Sequence, residues 1–155
     1  MKYSPFVLPY HIHSWTISKV VPYLQDICAT TPDTCQMNQY LELAWEHWDE
    51  TLADTATSED DFIQKWAANV ESSLTGIKKE DIVALYDRSN DKHNTEDRLR
   101  AMWKYGTSIG VSGAPVAFVN GVKLDNYPTE EIDWKSLIQQ LVPAPKSEDV
   151  ESFLY

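Results

Sequence analysis

Basic residues are scarce in this sequence: 13 Lys and Arg stand against 24 Asp and Glu in 155 residues, a formal net charge of −11. So acidic a chain repels nucleic acid and anionic membrane, and no Lys/Arg cluster reverses the sign locally, which removes nucleic acid from the expected partners. Long apolar runs are also missing. None approaches the roughly 18 residues of a membrane span, so no direct membrane insertion is expected. The N-terminus, Met1-Lys2-Tyr3-Ser4-Pro5, lacks the unbroken apolar stretch and small-residue cleavage site of a signal peptide, and the chain reads as soluble. Cysteine is limited to Cys28 and Cys35, which are too far apart for a Cys-x-x-Cys motif. No Ser/His/Asp arrangement, phosphate loop or dinucleotide fingerprint occurs, so no catalytic residue and no cofactor is expected. Repeats and low-complexity segments are absent as well.

What is present suffices for a globular unit: 43% of residues are apolar and 12% aromatic, enough to build a core in a chain of this length. Ser4 to Tyr10, SPFVLPY, reads as a short strand bracketed by prolines. A helical pattern with Trp15, Ile17, Val20, Val21 and Leu24 apolar runs from Ser14 to about Ala29, and Pro22 is expected to kink it. Leu41, Ala44, Trp45, Trp48 and Leu52 recur at the spacing of one amphipathic face, so the Trp45/Trp48 stripe is read as core. Ser58, with Asp61 three residues on, suggests a capped start for a helix carrying Phe62, Ile63, Trp66, Ala67 and Val70. Further helices are expected over Ile77–Tyr86 and from Thr95 to about Tyr105. After Gly110 the period changes to 2, and Val116–Asn120 and Val122–Leu124 read as strands joined at Asn120-Gly121, a strong hairpin signal. Glu131 to Val142 is a last amphipathic helix, stopped by Pro143. A helical stretch this long between a first strand and a hairpin reads as an insertion, about residues 30–110, in an α/β sheet; the domain would cover 1–143 and be followed by a tail over 144–155.

Three separated stretches carry a resemblance: PFVLPYHIHSW (Pro5–Trp15), DRSNDKHNTEDRLRAMWKYGTSIGVSGAPVAFVNG (Asp87–Gly121) and DWKSLIQQL (Asp133–Leu141). In type and order they resemble the eukaryotic DsbA-like branch of the thioredoxin superfamily. The resemblance implies an α/β, thioredoxin-like fold with a helical insertion, in which Pro115 follows a cis peptide bond. Gly113, Ala114 and Pro115 would then form a loop that binds a peptide or other ligand. Ala114 departs from the threonine usual there. The larger departure is that the family's first strand and its Cys-x-x-Cys helix have no counterpart. The implied sheet is truncated, and its gap would be closed by a partner strand, by direct pairing or by the tail Asp149–Tyr155 folding back, of which the first two are favoured because Pro143 and Pro145 direct the tail away. The resemblance therefore implies a redox-inactive binding or assembly module with a protein partner. The alternatives are a thiol–disulfide oxidoreductase whose catalytic segment lies outside this chain, and a glutathione-binding relative of the kappa-type transferases.

The two cysteines admit three readings: a structural disulfide, two free thiols, or a redox pair. A redox pair requires a low-pKa thiolate, which the C-terminal end of a helix disfavours at Cys28. A bridge would indicate an oxidising compartment, a secretory lumen, an organelle or the extracellular space, in keeping with the resemblance. His11 and His13 alternate as metal ligands on a strand end can, but His47 and His93 lie in distant segments, so no metal site is expected. In the resemblance His11 belongs to a Pro-Tyr-His strand end that orients the following helix. The run Glu59-Asp60-Asp61 reads as an acidic first turn of a helix.

Overall fold

The computed structural model describes residues 4–142. Close contacts divide the chain between Ala114 and Pro115, and the two units are described in turn.

In the first unit helices follow one another: α1 (Ser14–Ser18), α2 (Val20–Thr30), α3 (Met37–Glu46), α4 (Trp48–Ala53), α5 (Glu59–Ser73), α6 (Lys79–Ala84) and α7 (Thr95–Ser108). The core forms around α5, whose apolar stripe Phe62, Ile63, Trp66, Ala67 and Val70 is buried. Against it pack Met37, Tyr40 and Leu43 from α3, Val20, Val21, Tyr23 and Leu24 from α2, and Ile82 with Leu85 at α6. The start of α5 follows from its sequence. Ser58 Oγ accepts from the Asp61 N–H at 3.2 Å, the N-cap bond, and donates to Asp61 Oδ2 at 2.7 Å; the carboxylate takes the hydroxyl proton and not the Ser58 backbone N–H that Glu takes in a capping box. Glu59, Asp60 and Asp61 face the positive end of the helix dipole. The start of α7 is fixed by the buried Asp91, which accepts from the Thr95 N–H and hydroxyl at 2.6 and 2.8 Å. Asn94 takes the left-handed region, φ 49°, where its short polar side chain is tolerated. The entry to α3 is tied to the loop after α5 by Gln36, whose amide donates to the Thr75 carbonyl at 2.9 Å and accepts from the Thr75 N–H at 2.7 Å.

Ion pairs join α2 to the loop before α7 and to α7 itself. The Asp26 carboxylate meets His93 Nδ1 and Arg98 Nη1, each at 2.8 Å. Partial burial pushes the Asp26 pKa up, but the hydrogen bonds from His93 and Arg98 outweigh it and hold the carboxyl below its ordinary value. Glu96 is balanced in the same way: burial raises its pKa, whereas the Trp15 indole N–H, Lys19 and Arg100 lower it further than burial lifts it.

The second unit holds β1 (Phe118–Val119) and β2 (Val122–Lys123), antiparallel with Val119 opposite Val122, and α8 (Glu131–Leu141). Asn120 (φ 50°) and Gly121 (φ 82°) supply the two positive φ angles a tight hairpin demands, as the Asn-Gly signal predicts. A bond from Leu124 N–H to the Ala117 carbonyl at 2.9 Å extends the ladder.

The α/β thioredoxin-like expectation is overturned. The described residues are mostly helical and their only sheet is this two-stranded hairpin, so the stretch over residues 30–110 is the body of the first unit and not an insertion in a sheet. No strand forms over Ser4–Tyr10. Its backbone and side chains are engaged elsewhere: the Val7 carbonyl accepts from Trp103 Nε1 at 3.0 Å, the Leu8 carbonyl accepts from the His11 N–H at 3.1 Å, and Phe6 stacks on Trp103. Gly106 makes room for this docking, since a Cβ there would stand 2.9 Å from the Phe6 ring. Among the described residues there is no parallel sheet, and so no sheet gap for a partner strand to fill. Two helix boundaries also move. The break expected at Pro22 falls at Lys19, because a proline ring clashes with the carbonyl four residues earlier, here Ser18, where α1 ends. The single helix expected across Leu41–Leu52 is two helices that meet at His47. The expected tail, 144–155, lies outside the described residues.

Candidate binding surface

Trp45 lies before the break at His47 and Trp48 directly after it. In α3 the inward positions are Met37, Tyr40 and Leu43, with Leu41 and Ala44 partly buried against the core, so the inward stripe is already full before Trp45. Trp45 is 69% exposed and Trp48, the first residue of α4, is 41% exposed. This corrects the expectation that the pair is core. The two indoles contact each other with centroids 4.6 Å apart at 47°.

A turn lays two more rings beside them. The His11 N–H bonds the Leu8 carbonyl, Ser14 Oγ bonds the His11 carbonyl at 2.8 Å, and the His13 N–H bonds the Thr51 carbonyl at 3.1 Å, which fastens this turn to α4. His11 then meets Trp48 edge-on at 5.9 Å, and Tyr10, 68% exposed, meets His11 edge-on at 4.7 Å. Tyr10, His11, Trp48 and Trp45 therefore form a continuous array of aromatic rings facing solvent, with Ile12 exposed nearby. Edge-on and tilted packing at these separations is the favoured aromatic geometry. Beneath it, Glu50 has its pKa held below the ordinary carboxylate value chiefly by the Lys65 ammonium 2.7 Å away, with His47 Nδ1 at 3.3 Å adding to the effect and partial burial opposing it.

His13 is not part of this array. It is buried, stacked on Phe62, and hydrogen-bonded to Glu59 and to the Asp54 carbonyl, so it pins the turn and faces no ligand. Among the described residues no group of three or more His, Cys, Asp and Glu is placed to hold a metal ion.

Cys28 and Cys35 are joined in a disulfide. Cys28 lies in the last turn of α2 and Cys35 follows the 3-10 turn Pro32–Thr34, so the bond closes the short link between α2 and α3. A shallow groove of about 530 Å³ lies beside it, lined by Ile27, Asp33, Cys35, Gln39 and Gly76 among others. Cys28, in the last turn of α2, is away from the helix N-terminus that stabilises a reactive thiolate. The bond acts as a staple. Reducing it, or making Cys28→Ser/Cys35→Ser, is expected to cost about 2.5 kcal/mol by the chain-entropy estimate for so short a loop. Urea unfolding with and without reductant measures this; a loss below about 0.5 kcal/mol would show that the link needs no staple.

Gly113, Ala114 and Pro115 fall in a bend, with Ala114 and Pro115 exposed. Pro115 does not open a strand: β1 begins three residues later, and the Pro115 carbonyl accepts from the Tyr127 hydroxyl at 3.2 Å. Gly113 and Ala114 close the first unit and Pro115 begins the second.

No family model, curated protein or solved structure matches the chain. No described helix is long and apolar enough to cross a membrane. The arrangement thus offers one chemistry above all: a rigid, solvent-facing set of aromatic rings on a packed helical support. Sequence reading missed it because helical spacing counts a tryptophan as apolar wherever it falls. The available signal was the competing stripe of Met37, Tyr40, Leu43 and Ala44, which fills the inward face without Trp45.

Proposed function

We propose that this chain is a binding module for a protein partner, redox-inactive, and that it engages the partner through Tyr10, His11, Trp45 and Trp48. The observation that carries this reading is the exposure of both indoles and the phenol in one contiguous array. Tyrosine and tryptophan are the residues in which interface energy concentrates, and a contiguous aromatic patch in water is costly without a binding role. The disulfide supports the redox-inactive half, because Cys28 lies at the C-terminal end of α2, where the dipole opposes an attacking thiolate. It also supports an oxidising compartment as the working environment.

The test places a photo-crosslinking amino acid at position 45 in the full chain and, as a control, at the exposed Thr55, and irradiates each in extract from the native source. The expected outcome is a discrete protein adduct from position 45 and none from 55, which Trp48→Ala abolishes without lowering the unfolding temperature. Equal adducts from both positions would sink the assignment of the surface. Insulin reduction faster than that of Cys28→Ser/Cys35→Ser would sink the redox-inactive half.

A further inference from the structure

Resting on the reading of the aromatic array as a binding surface, we infer that its occupant is a basic segment of a partner protein, with arginine or lysine side chains laid over the indole and phenol faces. Three observations converge on a cation. First, the rings are uncapped. The chain's own cation–π contacts, Arg100 over Trp15 at 5.3 Å and Lys19 over Tyr86 at 5.0 Å, lie elsewhere, and no Lys or Arg of the described residues covers Trp45, Trp48 or Tyr10. An indole face is the best aromatic acceptor for a guanidinium or ammonium.

Second, three carboxylates that adjoin the indoles along α3 and α4 are exposed and unneutralised, whereas Glu50 is held by Lys65. Glu42 and Glu46 stand one turn apart on α3, flanking Trp45, and Asp49 follows Trp48 in the first turn of α4; none forms an ion pair with a described residue. Like charges at this spacing destabilise a helix slightly, a strain that a cationic partner would reverse. Third, no cation of the same helices offsets them: α3 and α4 contain no Lys or Arg, and of their four acidic residues, Glu42, Glu46, Asp49 and Glu50, only Glu50 is ion-paired among the described residues, to Lys65. The surface therefore presents aromatic faces inside a negative rim, complementary to Arg-bearing or Lys-bearing segments and repulsive to acidic ones.

The experiment uses the full chain and three fluorescent octapeptides, alternating Arg-Gly, Glu-Gly and Leu-Gly, followed by anisotropy at low and at physiological salt. The Arg peptide is expected to bind and the Glu peptide not to. Trp45→Ala/Trp48→Ala, which leaves every charge in place, should weaken the Arg peptide about tenfold. Glu42→Gln/Glu46→Gln/Asp49→Asn should weaken it several-fold and flatten the salt dependence. Both variants should keep the far-UV spectrum and unfolding temperature of the parent. Arg-peptide binding unchanged by the double tryptophan substitution overturns the inference, since any polycation is drawn to a chain of net charge −11. Preference for the Leu peptide, or concentration-dependent dimers that the tryptophan substitutions abolish, overturns the basic occupant while leaving the binding surface standing. A photo-crosslink absent at position 45 removes the binding surface itself.

Discussion

Trp66→Ala is expected to remove about 3–5 kcal/mol of stability, which consumes most of a total at the low end of the usual 5–15 kcal/mol and a third or less of one at the high end. Trp66 is the largest fully buried side chain, 1% exposed at the middle of α5. Its ring lies parallel to Phe62 at 6.2 Å and edge-on to Tyr40 at 6.1 Å and His47 at 5.8 Å. Its N–H donates to the Tyr40 hydroxyl at 3.1 Å, and that hydroxyl donates in turn to the Ile17 carbonyl, so one indole supports a chain from α5 through α3 to α1. Burial pushes the Tyr40 phenol far above its ordinary pKa, so it remains a neutral donor throughout the accessible pH range. Truncation removes both the packing and the donor. Trp66→Phe retains most of the ring packing and loses the hydrogen bond with part of the volume, for which about 1–3 kcal/mol is expected. Urea midpoints at unchanged slope measure both. A cost below about 1 kcal/mol for the alanine variant would mean that the core around α5 can collapse, against the close ring packing seen here.

The α5 stripe was legible because Ser58, the acidic first turn and the 3.6 spacing all agree locally. The same holds for the Asn120-Gly121 hairpin, the start of α7 at Thr95, and α8. What failed was set by partners distant in sequence. Pro5 to Tyr10 has the composition of a strand, yet no strand lies beside it; Trp103, nearly 100 residues on, takes the Val7 carbonyl instead. The thioredoxin-like expectation rested on the order of three motifs, and order does not specify which backbone groups pair. The orientation of Trp48 depends on a helix break at His47, a residue with no strong breaking tendency of its own. Of the candidate site residues, Cys28 and Cys35 were legible as a possible bridge, but the aromatic surface was not.

The turn that carries half of that surface is held by His13, and His13→Ala is expected to cost about 3 kcal/mol. The imidazole is 1% exposed and stacks on Phe62 with centroids 3.8 Å apart. Nε2 faces the Asp54 carbonyl at 3.0 Å; a carbonyl can only accept, so Nε2 carries a hydrogen. Nδ1 faces Glu59 Oε2 at 3.1 Å, and the other oxygen of that carboxylate accepts from the Thr16 hydroxyl. One ring thereby joins the N-terminal turn, the loop after α4 and the first residue of α5. Alanine would open a cavity against Phe62 and strip the Asp54 carbonyl of its partner. Because Glu59 is half exposed, its carboxylate can turn to water, so Glu59→Gln alone should cost only about 1 kcal/mol. A double-mutant cycle of the two should show coupling of roughly 0.5–1 kcal/mol, since Glu59→Gln loses much of its effect once the imidazole is gone. His13→Ala should also release Tyr10 and His11 from Trp48, seen as a loss of near-UV circular dichroism under conditions where the far-UV signal persists. Strict additivity, or a stability change within about 0.5 kcal/mol, would show that the backbone bond from His13 to Thr51 holds the turn without the ring.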